Sequence, residues 1–143
     1  MQTIRLSISI NAAGQTVWNS LLNHINSRGR VADFSVTRLA EGSQVVKQTA
    51  CGTDILCRVV RYTPDKIISI EQEVILNKGE ADYWHPEAKN WIGLYEIYRL
   101  FEEDEHTVLY VEMDSCCLYT NWTFNNIEVT IADIKMRSEQ MAA

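Results

Sequence analysis

Residues 3–22, TIRLSISINAAGQTVWNSLL, decide the fold. The first eight alternate, with Ile4, Leu6, Ile8 and Ile10 on one face and Thr3, Arg5, Ser7 and Ser9 on the other, the period-two pattern of a half-buried strand. From Asn11 the period changes. Val17, Leu21 and Ile25 fall on one stripe with Trp18 and Leu22 beside it, which predicts an amphipathic helix from about Ala13 to Asn23, with Asn11 as its N-cap. Ser27, Arg28 and Gly29 close the helix with a loop.

Beyond that unit the chain reads as a run of strands. Asp33 to Leu39 and Gln44 to Ala50 flank a turn at Glu41, Gly42 and Ser43, where glycine permits a positive φ. Asp54 to Tyr62 stops at Thr63, Pro64 and Asp65, and Lys66 to Leu76 stops at Asn77, Lys78 and Gly79. Residues Glu80 to Asn90 have no clean period and read as a loop or lid. Trp91 to Phe101 and Thr107 to Cys117 form the strongest hairpin, around the acidic turn Glu102, Glu103, Asp104 and Glu105. No Asn-Gly dipeptide marks a tight hairpin, so longer loops are expected between strands. The last helix starts near Asn121 and carries Phe124, Ile127, Ile131 and Ile134 at spacings of three and four.

The element order and the first 20 residues resemble the START-like (SRPBCC, helix-grip) superfamily, which includes polyketide cyclases, dehydratase-like proteins and activators of a heat-shock ATPase. In that superfamily the first strand commonly runs into Ile-x-Ala-Pro-x-x-x-Val-Trp. Here Ile10, Asn11, Ala12, Ala13, Gly14, Gln15, Thr16, Val17 and Trp18 repeat it, with Ala13 in the place of proline. Val60 to Pro64 is similar to the family's strand ending in a proline turn, and Thr107, Val108 and Leu109 to the start of its last strand. The resemblance implies an α+β helix-grip fold: a curved seven-stranded antiparallel sheet wrapped around a long C-terminal helix, with one or two short helices after the first strand. It also implies a cavity between sheet and helix that often holds an apolar ligand.

The 143 residues match one domain, read as residues 1–143, with no linker or repeat to divide them. With 46% hydrophobic and 22% charged residues the composition is that of an ordinary globular domain. No run approaches the roughly 20 apolar residues of a membrane span, and no secretory signal is recognisable, so a cytoplasmic protein without a membrane span is expected. A net charge of −6 and thirteen thinly spread basic residues oppose contact with a phosphate backbone, so no nucleic-acid partner is expected. Cys51, Cys57, Cys116 and Cys117 lack the paired spacing of a zinc site and read as reduced thiols. No HExxH, GxSxG or glycine-rich phosphate loop is present, and neither metal nor cofactor is expected.

Ten of the thirteen aromatic residues lie between Tyr83 and Phe124. Stiff rings with polar tips suit a ligand pocket, and they equally suit a core. As a pocket, its expected lining is Trp91, Tyr95, Tyr98, Val111, Met113, Phe124, Ile127 and Ile131, between walls at 91–117 and 121–141 and under the lid 80–90. Register decides which rings face in: a two-residue turn at Asp104 and Glu105 pairs Tyr98 with Val111, and a three-residue turn pairs Ile97 with Val111. On the last strand Leu109, Val111 and Met113 form the inward set. For acid-base work the sequence offers His85, His106, Glu71, Glu73, Glu96, Glu112 and Asp114, and it places none of them in a cleft. The strand glutamates read as the wet face of the sheet, His106 as solvated, and Arg99 as a side chain that only one register would send inward.

Three functions follow. The first is binding of a hydrophobic or amphipathic small molecule in the cavity. The second is a cyclase- or dehydratase-like enzyme in which His85 or Glu112 moves a proton. The third is a co-chaperone-like adaptor or homodimer that uses the acidic sheet face or the loop around Trp84.

Overall fold

The computed structural model describes residues 1–27 and 39–142. The alternating segment forms β1 (Gln2–Ile10) and runs into α1 (Gly14–Ser27). Then follow β2 (Gln44–Gln48), β3 (Asp54–Thr63), β4 (Ile67–Asn77), the two-residue β5 (Glu80–Ala81), the single-turn α2 (Ala88–Trp91), β6 (Tyr95–Glu103) and β7 (His106–Ser115). A 3-10 turn (Cys117–Tyr119) leads into the long α3 (Thr120–Ala142). The strands make one antiparallel seven-stranded sheet, order β1-β7-β6-β4-β3-β2 with β5 pairing β4. It curves around the C-terminal helix, which is the α+β helix-grip arrangement.

Four local expectations need correction or placement. The strand expected at Asp33 to Leu39 lies, up to residue 38, outside the described residues; Leu39 itself is buried outside any strand. Asn11 does not cap α1. The helix starts at Gly14, whose N–H donates to Glu102 Oε1 at 3.0 Å, so a carboxylate from β6 sits at its positive end. Trp91 closes α2 instead of opening β6, because Ile92 N–H bonds back to the Ala88 carbonyl and Gly93 (φ 83°) turns the chain before Tyr95. Tight hairpins also occur without Asn-Gly. Lys78 (φ 53°) and Gly79 (φ 83°) join β4 to β5, and Asp104 (φ 50°) with Glu105 joins β6 to β7.

That last turn sets the register. Tyr98 pairs with Val111, Glu96 with Met113 and Leu100 with Leu109. Thr107, Leu109, Val111, Met113 and Ser115 of β7 all point inward, where Tyr98, Ile68, Ile70 and Val59 from neighbouring strands meet Val17, Trp18, Leu21, Ile127 and Ile134 from the helices. α3 packs against α1, β1 and β7. Lys135 Nζ donates to the Ser9 carbonyl (2.8 Å) and Glu139 accepts from Asn11 N–H (2.9 Å), so the far half of α3 is fastened to the end of β1. Among the described residues no helix is long and apolar enough to cross a membrane.

Candidate functional site: a cleft between β2 and α3 over a buried ion pair

Because α3 leans on β1 and β7, a gap remains between its first turns and β2 at the opposite edge of the sheet. The gap is a cleft of about 380 Å³. Residues 47–50 and Gly52 line one side, Trp122 and Asn126 the other.

Lys47 sits at the inner end of this lining and is only 8% exposed. Alternation along β2 puts it on the same face as Val45, so its ammonium points into the sheet's interior. There it meets Glu96, which is 0% exposed: Nζ lies 3.0 Å from Oε2, and the Tyr98 hydroxyl donates to Oε1 at 2.8 Å. Gln72 completes the group, its amide oxygen accepting from Lys47 Nζ and its nitrogen donating to the Trp91 carbonyl, both at 3.0 Å. A charge this deep costs several kcal/mol to desolvate, and only close pairing with further hydrogen bonds offsets it.

An aromatic wall stands beside the pair. Trp91 stacks on Tyr119 (5.0 Å between centroids, 24°) and meets Trp122 edge-on (5.7 Å, 89°). Among the described residues the Trp91 Nε1–H is the one buried side-chain polar atom without a hydrogen-bond partner. Glu87, just before α2, accepts from the Tyr119 hydroxyl and from Asn90 Nδ2. The bond from Tyr119, then that from Asn90, holds the Glu87 carboxyl below its usual range, and the same contact pushes the Tyr119 phenol up to about 12. The segment expected to be a lid is therefore tied to the entry of α3. Its tip is open: Tyr83 and Trp84 are largely exposed.

Cys51 lies in the β2–β3 turn between two lining residues, with its Sγ 3.0 Å from Thr49 Oγ1 and 3.3 Å from Thr53 Oγ1. Burial pushes its thiol up, but the bonds to Thr49 and Thr53 outweigh this and leave it below the ordinary value. All four cysteines are free thiols. Among the described residues no three His, Cys, Asp or Glu side chains are grouped to hold a metal ion.

Of the eight residues expected to line a pocket, Trp91, Tyr98, Val111, Met113, Ile127 and Ile131 are buried in the core. Tyr95 (38% exposed) and Phe124 (40%) face outward, Tyr95 on the outer side of the sheet and Phe124 on the free face of α3. None of the eight is among the described lining of the cleft. Glu112 is on the outer sheet face, paired with Arg5 (2.6 Å), and Arg99 shares that face. His85 Nδ1 accepts from the Glu87 N–H (3.0 Å) within its own loop, and His106 lies 3.6 Å from Glu103. Glu96 departs from the reading of the strand glutamates as a wet face, which Glu112 follows, since the two-residue turn sends Glu96 inward with Tyr98. Lys47 and Glu96 were within reach of sequence reasoning: both fall on the inward period of their strands once the register is fixed.

No protein-family model matches the chain, and no curated protein matches it. Solved structures do match over nearly its whole length. The Aha1 dimer from Colwellia psychrerythraea is 17% identical, with TM-score 0.65 and 97% of each chain covered. CalU16 from Micromonospora echinospora is 16% identical, with TM-score 0.66, over 95% of this chain and 75% of that one. Protein MLL2253 from Mesorhizobium loti is 16% identical, with TM-score 0.63, over 97% and 95%. At this identity the likeness concerns architecture, and together with the sheet order and the gripped C-terminal helix it gives the conclusion that the chain has the START-like helix-grip fold.

Proposed function

We propose that the chain acts as one START-like domain, 1–143, that binds an amphipathic small molecule in the cleft between β2 and α3. The observation that carries this reading is the Lys47–Glu96 pair at the inner end of a cleft with an aromatic wall. Apolar residues of similar volume would stabilise the core as well or better, so a buried pair reaching an open cleft has its explanation in a ligand. The ligand's apolar body lies against Trp122, and its polar group turns toward Lys47. Binding is favoured over turnover because Lys47 is the only titratable side chain among the described lining residues.

The test is displacement of an environment-sensitive apolar dye, with native mass spectrometry of the freshly purified protein. Trp122→Ala and Asn126→Ala, which leave the buried pair intact, should each weaken dye binding about tenfold or more. Failure of every apolar compound to bind, or binding indifferent to both substitutions, rejects the site.

A second reading, self-association, is favoured by β1. It is an edge strand of nine residues, and among the described residues nothing pairs with its free side. Such an edge is a template for a second copy. Sedimentation equilibrium should show a dimer that Ser7→Pro converts to monomer; a monomer at all concentrations ends this reading.

A further inference from the structure

The outer face of the sheet, away from the helices, carries a second pocket of about 590 Å³ where the ends of β3, β4 and β6 meet. Arg61, Lys66 and Arg99 line it. Arg61 pairs with Ser69 and Arg99 with Ile67, so the two arginines flank β4 from opposite sides, and Lys66 immediately precedes Ile67. Two strand spacings and a two-residue offset along β4 separate their backbones by roughly 12 Å, within reach of two long side chains converging on one small anion. Ile67 and Phe101 give the pocket an apolar surface; Phe101 is 52% exposed.

All three cations are exposed, and among the described residues none of their side chains has a hydrogen bond or ion pair. Arg5, Arg58, Lys135 and Arg137 each hold a carboxylate. The carboxylates that line the pocket are engaged elsewhere: Glu102 accepts from Gly14 N–H at 3.0 Å, and Glu103 faces His106 at 3.6 Å. A chain of net charge −6 thus gathers three positive charges that form no ion pair around an apolar surface, with the carboxylates of Glu102 and Glu103 at its edge.

We propose that this pocket binds a soluble phosphate monoester bearing an apolar group. A monoester brings close to two negative charges and three acceptor oxygens, which matches two guanidinium forks and an ammonium better than a singly charged carboxylate does. Its apolar group rests on Ile67 and Phe101. A flat anionic bilayer would press against all four carboxylates of the adjoining turn, Glu102, Glu103, Asp104 and Glu105, whereas a small monoester needs to touch only Arg61, Lys66 and Arg99, so the ligand arrives from solution.

Phenyl phosphate is the probe, followed by amide chemical shifts in the full chain. The expected result is saturable shifts confined to residues 61–67 and 99–103. Arg61→Gln and Arg99→Gln should each weaken binding at least tenfold and Lys66→Gln severalfold. Lys78→Gln, which removes an exposed cation on another turn, and Trp122→Ala should leave it unchanged. Arg61, Lys66, Lys78 and Arg99 are exposed and Trp122 is half-buried, and unchanged circular dichroism should accompany every variant. The proposal is overturned by absence of saturable binding, by equal weakening in Lys78→Gln, by benzyl alcohol binding as tightly, or by capture on phosphatidic acid vesicles without binding of phenyl phosphate.

Discussion

Trp18 shows how much of a fold one residue can hold. It is 3% exposed, meets Tyr62 edge-to-face at 5.6 Å between centroids, and locks α1 onto β3. Trp18→Ala should cost about 3–5 kcal/mol through the cavity it leaves. Urea denaturation would show a lower midpoint at unchanged slope, and binding in the β2–α3 cleft should survive in whatever remains folded. Lys47→Met leaves Glu96 buried beside Tyr98 without its cation, and such half-pairs cost about 3–5 kcal/mol. Lys47→Met combined with Glu96→Leu removes both charges and should recover most of that loss. A double mutant as unstable as the single one would show that packing, not charge, holds the strand.

The tie between the 82–91 segment and the entry of α3 is a matter of elements, and it titrates. Glu87 has a folded value below its unfolded one, so its contribution is present above about pH 4.3 and is lost as pH falls through the depressed value. Tyr119 is raised from 10.0 to about 12, so its contribution is whole below about pH 10 and is lost as pH rises through about 12. Phenolate absorbance should therefore reveal a late-titrating tyrosine that Tyr119→Phe removes, and the same substitution should flatten the acid limb of the stability profile. Phenols that all titrate together near 10 would contradict the contact. This element also marks where sequence reading stops. β1, α1, β6, β7 and α3 announce themselves because one periodic face per element meets the core. The aperiodic 80–91 stretch hides a single-turn helix that tertiary contacts hold: Trp91 stacks on Tyr119, nearly 30 residues away, and no local pattern records that. The cleft was hidden for a related reason. Its two walls, Lys47 to Gly52 and Trp122 to Asn126, are distant in sequence, and no periodic pattern joins them. Glu96 looked solvent-facing only while the hairpin register was open.

Across the whole molecule, one core joins both helices to the sheet, while the two candidate sites lie on opposite faces of that sheet. Occupancy of either should stabilise the same folded state, because a ligand that binds only the native form shifts unfolding by mass action. At about 100 times its dissociation constant the gain is about 2.7 kcal/mol, and for a chain of this length that corresponds to a rise in Tm on the order of 10 °C. An apolar ligand of the cleft should produce that rise in the wild type and in Arg99→Gln but not in Trp122→Ala. Phenyl phosphate should show the reverse dependence, and the two increments in free energy should add, since the sites share no residue. Thermal scans with each ligand alone and both together decide the matter: increments that fail to add would mean that the sheet couples its two faces, and an increment abolished by the wrong substitution would reassign the ligand to the other face.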